Sequence, residues 1–222
     1  IEALMSLQTP PQIFKDHILD IKIGDVLSLT HLASRLVQMG YERVPAVEGK
    51  GQFSIRGGIL DIFPLTADDP YRIEFFDDEV DSIRTFDVMS QRSIENHSEA
   101  IISPARELVL TVEWLAHGKD NISRSYSEFS SKAGRKNISA SLKGKIERVL
   151  NALDEGTCEA ALERYFCFFY PQRATIFDYL KDSALIVVDE PARIKERCEG
   201  YFNEFQEHFK DLLQRFEVLP QQ

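Results

Sequence analysis

The sequence has 222 residues, of which 43% are apolar, enough for an ordinary packed core, so disorder is not expected. Its formal net charge of −10 at pH 7 argues against a protein that binds nucleic acid over its whole surface, because phosphate groups are bound mainly by Lys and Arg. The sequence shows neither a run of about 18 apolar residues nor the charged-then-apolar start of a signal peptide. These features predict a soluble, cytoplasmic chain with no membrane partner.

The cysteines and histidines predict no metal site and no cofactor. Cys158, Cys167 and Cys198 form no CxxC pair, which favours reduced thiols over a disulfide framework or a zinc site. The five histidines show no metal-ligand spacing. The chain begins with Ile1 rather than Met and ends on "LPQQ", so we expect a fragment of a longer protein.

A short helix followed by several strands is predicted in the first half of the chain. Apolar residues recur at helical spacing through "LTHLASRLVQM", from Leu29 to Met39, and Gly40 follows as a stop. From Tyr41 to about Ala105 the period falls to two, through "YERVPAV", "GQFSIR", "ILDIF", "YRIEFF" and "EVDSIRTF". Turn residues separate these runs, so we expect a compact, mostly antiparallel sheet.

The pattern changes after residue 105. A Ser- and Lys-rich stretch, residues 119–141, predicts a mobile loop, and helical segments follow at residues 142–153 and 158–165. "SALIVVDEP" has the continuous apolar run of a strand buried on both faces, and Pro191 suits the first turn of a following helix. The apolar stripe of that helix predicts packing on a core, although a coiled-coil seam or a partner-binding face fits the same spacing. The stripe consists of Cys198, Phe202, Phe205, Phe209, Leu212 and Phe216.

The hairpin "GQFSIRGGILDIFP" has one face that is wholly apolar and one that is mixed. With Gly57 and Gly58 as a two-residue turn, Arg56 lies opposite Ile59 and Ser54 lies opposite Asp61. The apolar face then comprises Phe53, Ile55, Leu60 and Ile62, and the other comprises Gln52, Ser54, Arg56, Ile59, Asp61 and Phe63. In the next strand Arg72, Glu74 and Phe76 share a face by the same alternation.

Arginine beside exposed aromatic rings is the composition of a protein-binding hot spot, since both supply large contact area and the guanidinium adds directed hydrogen bonds. The alternative is that Phe63 and Phe76 are covered within the domain and that the arginines form surface ion pairs. The pattern alone leaves both interpretations open.

Blocks of this sequence closely resemble the bacterial transcription-repair coupling factor (Mfd) family. They are "GYERV", "GQFSIRGGILDIFP", "PYRIEFFDDEVDSIRTFD" and "SQRSIE", in order and at close spacing, with "SPAREL", "RYFCFFYPQRATIFDYL" and "ALIVVDEP" in the flanks. The excision-repair helicase subunit UvrB shares the "GxF..RG..DIFP" core, but it usually has a second arginine where this chain has Ser54. The alternative is therefore a fragment of a UvrB-like helicase with residual nucleotide or DNA binding.

The resemblance implies an α/β (α+β) fold and three regions. Residues 1–17 would be the tail of a preceding domain, residues 18–104 a UvrB-like UvrA-interaction domain with a small, mostly antiparallel sheet, and residues 105–222 the second half of a degenerate RecA-like domain. It implies recruitment of UvrA to RNA polymerase stalled at DNA damage, with no catalysis in this fragment. The whole protein would be an ATP-dependent DNA translocase that reaches RNA polymerase and double-stranded DNA through other domains. The implied UvrA contacts are Arg56, Arg72, Phe76, Glu74 and Arg43.

The sequence contains half of a nucleotide-hydrolysis signature. "LIVVDEP" is similar to a Walker B strand, in which Asp189 would hold magnesium through water and Glu190 would polarise the attacking water. No GxxxxGK[ST] loop accompanies it, so no phosphate cradle is predicted. We interpret Asp189 and Glu190 as a degenerate, non-hydrolysing remnant.

Charge is distributed unevenly along the chain. Residues 68–99 are acidic and residues 119–148 are basic. The acidic part is suited to a basic groove on a protein. The basic part is a solvated face or, in the intact protein, a contact to DNA or polymerase.

Overall fold

The computed structural model describes residues 2–133, 140–154 and 160–222. The chain divides into two compact units, one formed by Gln12–Val109 and the other by Ile1–Pro11 with Leu110–Gln222. The helices are α1 (Glu2–Met5), α2 (Pro11–Asp16), α3 (Leu29–Gln38), α4 (Val112–Ala133), α5 (Ala140–Asp154) and α6 (Pro191–Gln214), with 3₁₀ segments at Ala160–Phe168 and Ile176–Tyr179. The strands are β1 (Leu19–Lys22), β2 (Glu42–Arg43), β3 (Gln52–Arg56), β4 (Ile59–Ile62), β5 (Tyr71–Phe76), β6 (Glu79–Phe86), β7 (Ser93–His97) and β8 (Glu99–Ile102).

The unit Gln12–Val109 is built on a six-stranded sheet in the order β2-β3-β4-β5-β6-β7. All neighbours are antiparallel except β2 and β3, and β1 pairs with β8 in a separate two-stranded sheet. The mixed α/β fold with a mostly antiparallel sheet is thus confirmed. The predicted hairpin register is also present, with Arg56 opposite Ile59 and Ser54 opposite Asp61.

The core of this unit lies on the apolar face of the six-stranded sheet. Side chains of α3 and of both short strands β1 and β8 join those of the sheet in one cluster. Leu32 and Leu36 of α3 are buried because they fall on one face of an amphipathic helix. Fully buried sheet members of the cluster are Phe53, Leu60, Ile62, Ile73 and Ile83. Each such burial contributes about 1.5–3 kcal/mol before the entropy of ordering is subtracted.

Helix α4 replaces most of the loop predicted for residues 119–141. The chain is helical through Ala133, and residues 134–139 lie outside the described part. Leu115, Ile122 and Phe129 recur every seven residues, and Ile122 is fully buried. Ile122, Tyr126 and Phe129 follow one another at i, i+4 and i+7, which is helical spacing, so the loop prediction gave too much weight to the Ser and Lys content and was wrong.

The apolar run of "ALIVV" forms no strand. Residues 184–188 are exposed and have no regular secondary structure, and Leu185 is 87% exposed. A strand buried on both faces requires neighbouring strands, and the described residues supply none beside this segment. The prediction of a buried strand is therefore wrong for this chain, and the RecA-like character of residues 105–222 stays a prediction.

Helix α6 does not pack on a core along its predicted stripe. It has no buried residue, and Phe202 and Phe205 are about half exposed. Just beyond its C-terminal end the ring of Phe216 lies 5.7 Å from that of Phe129 on α4. The prediction of a core-packing helix is thus wrong for most of its length.

No helix among the described residues is both long and apolar enough to cross a membrane.

Candidate protein-interaction surface

Asp61 on β4 is the centre of the polar face of the six-stranded sheet. The register places it beside Ser54 of β3 and Arg72 of β5, because paired residues project to the same side of a sheet. Its side chain is only 2% exposed. A buried carboxylate is costly unless cations and hydrogen bonds compensate its charge.

Arg72 compensates Asp61 through two parallel contacts. Its Nε lies 2.6 Å from Oδ1 and its Nη2 lies 2.8 Å from Oδ2, the two-point geometry that arginine forms with carboxylates. Nη2 also donates to Oε1 of Gln91 at 2.9 Å, and the guanidinium carbon lies 4.3 Å from the centre of the Phe86 ring. The hydrogen bonds to Asp61 raise the pKa of Arg72 above its ordinary value. Arg72 is therefore fixed in place, with 14% of its side chain exposed.

Arg56 binds the same carboxylate from the end of β3. Its Nη2 donates to Oδ2 of Asp61 at 2.8 Å, while 53% of its side chain is exposed. Asp61 thus holds two guanidinium groups at fixed positions, one enclosed and one open to solvent. Only the open one offers most of its surface to another molecule.

Glu74 lies on the same face but is engaged within the sheet. Its Oε2 accepts a hydrogen bond from Oγ of Ser82 at 2.9 Å, and its Oε1 accepts one from Nη2 of Arg84. About 29% of the Glu74 side chain is exposed. Its charge is therefore largely balanced by Arg84 inside this chain.

Phe76 ends β5 with its ring in solvent. The side chain is 77% exposed, and the next residue, Asp77, adopts a left-handed conformation with φ of 53°. Phe76 follows Arg72 and Glu74 by steps of two and so shares their face. We name the surface formed by Arg56, Arg72, Glu74 and Phe76 the arginine face. It combines an exposed aromatic ring with a pre-positioned guanidinium, the composition of a binding hot spot.

Arg43 lies on the opposite side of the sheet. It pairs with Phe53, whose ring belongs to the core face, and it borders a groove beside α3. The structure therefore brings together Arg56, Arg72, Glu74 and Phe76 but separates Arg43 from them. Phe63, the other aromatic residue in question, is half-buried, with Nζ of Lys50 5.8 Å from the centre of its ring.

Three residues that organise the arginine face were not predicted for that role. Asp61 is detectable in retrospect, because the register pairs it with Ser54 on one side and with Arg72 on the other. Arg56 is two residues from Ser54 and shares its face, so both arginines lie near the carboxylate. Phe86 follows Arg84 by one step of two along β6, so alternation places it on the same face. Gln91 had no local signal, because it belongs to a loop and has a left-handed φ of 59°.

Asp189 and Glu190 show no enclosed geometry. Both are exposed, and Oε2 of Glu190 lies 3.0 Å from Nη1 of Arg193. Among the described residues no group of three or more His, Cys, Asp or Glu could hold a metal ion. Cys167 and Cys198 are free thiols, and burial raises the pKa of Cys167; Cys158 lies outside the described residues.

Comparison with known proteins shows what the sequence of this chain is similar to. Residues 19–108 match the model of the UvrB interaction domain. The transcription-repair-coupling factor of Bacillus subtilis (strain 168) is 37% identical over 219 residues, which cover 99% of this chain and 19% of that protein. The factor of Staphylococcus epidermidis is 38% identical over 208 residues, covering 93% and 18%, and that of Staphylococcus haemolyticus is 35% identical over 218 residues, covering 96% and 18%.

The chain spans about one fifth of the length of these relatives. Nearly all of it is matched, so the similarity includes the flanks of the sheet domain as well as the domain itself. The predicted resemblance is confirmed: nearly the whole chain is similar to a segment of transcription-repair-coupling factors, and residues 19–108 match the UvrB interaction domain.

Proposed function

We propose that this chain is the part of a transcription-repair coupling factor that binds UvrA, and that the arginine face is the binding surface. The observation that carries the proposal is the joint presentation of Arg56 and Phe76 beside the Asp61–Arg72 ion pair. The name of the matching domain and those of the relatives support the same function.

Physical chemistry supports a hot spot at this position. An exposed aromatic ring contributes apolar contact area with few torsions to immobilise, and Arg56 is already held by Asp61 before a partner arrives. Preorganisation lowers the entropic cost of binding, which is about 0.5–1.5 kcal/mol for each immobilised long side chain. Arg72 contributes mainly by fixing Asp61, since most of its own surface is enclosed.

The role in the whole protein is non-catalytic recruitment. In this proposal the chain captures UvrA while other parts of the full-length factor engage stalled RNA polymerase and double-stranded DNA. It works in the cytoplasm, without a membrane partner. Asp189 and Glu190 take no part in hydrolysis, and the chain needs no cofactor.

The decisive experiment is calorimetric titration of the 222-residue chain with purified UvrA. Arg56→Glu should weaken binding at least tenfold, because it reverses a half-exposed charge on the arginine face. Arg56→Gln, which keeps a donor for Asp61 and places no carboxylate beside it, should also weaken binding and separates a lost contact from a disturbed sheet. Lys15→Glu is the matched control for Arg56→Glu, since it makes the same charge change at an exposed position on α2 and should leave the Kd within twofold. Equal binding by these two charge-reversal variants would refute the proposed surface.

Arg72 is less suitable for charge reversal. A glutamate at this position would face the buried Asp61 at hydrogen-bond distance and unfold the sheet locally, so that lost binding would have no clear meaning.

The alternative, a UvrB-like helicase fragment, is addressed by titrating the same chain with magnesium and ATP, and with a fluorescent DNA duplex. Heat released on nucleotide binding, or a rise in the fluorescence anisotropy of the DNA, would favour that alternative.

A further inference from the structure

Strand β3 has an open edge beyond its short pairing with β2. The pairing ends at Arg43 and Phe53, where the amide of Val44 donates to the carbonyl of Phe53 at 2.9 Å. The chain then leaves the sheet at Pro45, whose carbonyl accepts a hydrogen bond from Oγ of Ser54 at 2.9 Å. No residue in the described part of the chain pairs with β3 beyond this point on that side.

The backbone of Ile55 faces this open edge. Alternate residues of a strand direct their amide and carbonyl groups to the same side, and Phe53 already bonds to β2. Ile55 therefore presents one donor and one acceptor outward, the arrangement to which an added strand binds.

An apolar groove runs along the same edge. It has a volume of about 450 Å³ and lies between Ile55 on β3 and one side of α3, where Leu29, Ala33 and Val37 line it. Val37 is half exposed although its neighbours Leu32 and Leu36 are buried. The groove is wide enough for an apolar side chain that projects from a strand paired with Ile55.

The rim of the groove carries one positive charge. Arg43 lines the groove and is exposed. No ion pair of Arg43 occurs among the described residues. A carboxylate that follows the apolar side chain would complement this charge.

We propose that β3 and α3 form a second docking site, which binds an extended segment of a partner protein by strand addition at Ile55. The segment places an apolar side chain in the groove and a neighbouring Asp or Glu against Arg43. The groove is on the opposite side of the sheet from Glu74 and Phe76, although the added strand itself would lie beside Arg56 at the end of β3.

The test begins with a displayed library of random 12-residue peptides, selected on the immobilised 222-residue chain. The same library is selected in parallel on Val37→Glu, which places a carboxylate in the groove without changing a buried residue. We expect enriched peptides that alternate apolar and other residues and include an Asp or Glu, and whose binding falls at least tenfold with Val37→Glu and with Arg43→Glu. Arg43→Lys is the matched control and should keep the Kd within about threefold.

Backbone pairing is tested with N-methylated versions of the best peptide. Methylation at one set of alternate residues should abolish binding, and methylation at the other set should leave it, because only one edge of an added strand bonds to β3. Amide chemical shifts of Ile55 and Gly57 should change on titration. The proposal fails if the binding of no peptide depends on Val37, or if both sets of methylated peptides bind alike. It also fails if sedimentation shows a concentration-dependent dimer that Val37→Glu abolishes, since a second copy of the chain would then occupy the groove.

Discussion

Arg72 and Asp61 form a two-point ion pair across neighbouring strands, with Nε–Oδ1 of 2.6 Å and Nη2–Oδ2 of 2.8 Å, and Arg56 joins the same carboxylate. Asp61→Asn removes the charge that both guanidinium groups compensate and leaves Arg72 enclosed without its counter-ion. We expect a loss of about 2–4 kcal/mol in the free energy of unfolding of the sheet unit, measured by urea unfolding followed by circular dichroism. Asp81→Asn, at an exposed position of β6, should stay within about 0.5 kcal/mol, and equal effects of the two changes would contradict the role of Asp61.

Phe76 should matter for binding and not for stability. The ring is 77% exposed, so Phe76→Ala should change the free energy of unfolding by less than about 0.5 kcal/mol. In the proposed complex the ring is covered, and its loss should weaken UvrA binding at least tenfold, as measured by titration calorimetry. The control is Ile101→Ala, which shortens a half-exposed apolar side chain on β8. If Phe76→Ala binds as tightly as the control, the ring is not a contact.

The two glycines of the hairpin turn should respond differently to substitution. Gly57 has a positive φ of 62° with open space around it, a conformation that asparagine tolerates, so Gly57→Asn should fold normally. A Cβ at Gly58 would lie 2.8 Å from the backbone carbonyl oxygen of Phe75, which cannot move without disturbing β5. Gly58→Ala should therefore lower the melting temperature and Gly57→Asn should not. Similar melting temperatures for both variants would contradict the register of β4 and β5.

Tyr41 predicts a pH dependence above neutrality. Its hydroxyl donates to the carbonyl of Ser103 at 2.7 Å, and burial raises its pKa above the ordinary value of 10.0. Because the folded-state pKa exceeds that of the unfolded chain, stability is fully present below about pH 10 and is lost as the pH rises further. Tyr41→Phe should lose about 1 kcal/mol at pH 7 but show a shallower decline between pH 10 and 11. If the stability of the two proteins declined in parallel, Tyr41 would ionise as freely in the folded state as in the unfolded chain.

Hydrogen exchange should distinguish the "ALIVV" segment from a strand. Residues 185–188 have no strand partner in the described chain and are exposed, so their amides should exchange within seconds at pH 7. Amides of Ile73 and Ile83, on neighbouring strands of the sheet, provide the slow reference. Protection of residues 185–188 comparable to that of Ile73 would show that a strand forms there.

The sheet and most of the arginine face could be predicted because both depend on period-two alternation. The turn at Gly57 and Gly58 fixes the hairpin register, and the register fixes which side chains share a face. Arg72, Glu74 and Phe76 follow from the same rule. Alternation does not encode how deeply each side chain is buried. It therefore did not show that Asp61 is buried and forms ion pairs with two arginines.

The failures come from residues whose environment depends on distant parts of the chain. Leu185 has the composition of a buried strand residue, but burial requires neighbours, and none lies beside it among the described residues. Ile122 shows the opposite case. It lies in a stretch rich in Ser and charged residues that predicted a loop, and the packing of α4 buries it fully. Arg43 was predicted as a UvrA contact together with the residues of the arginine face, yet its parallel pairing with Phe53 places it on the other side of the sheet.

The departure of the chain at Pro45 also bears on aggregation. An unpaired strand edge is a template on which further chains can add, and long flat edges of this kind lead to amyloid-like stacking. Here the open part of β3 begins after Phe53 and ends at the turn that follows Arg56. The open edge thus comprises only residues 54–56, and short edges of this kind limit the addition of further chains.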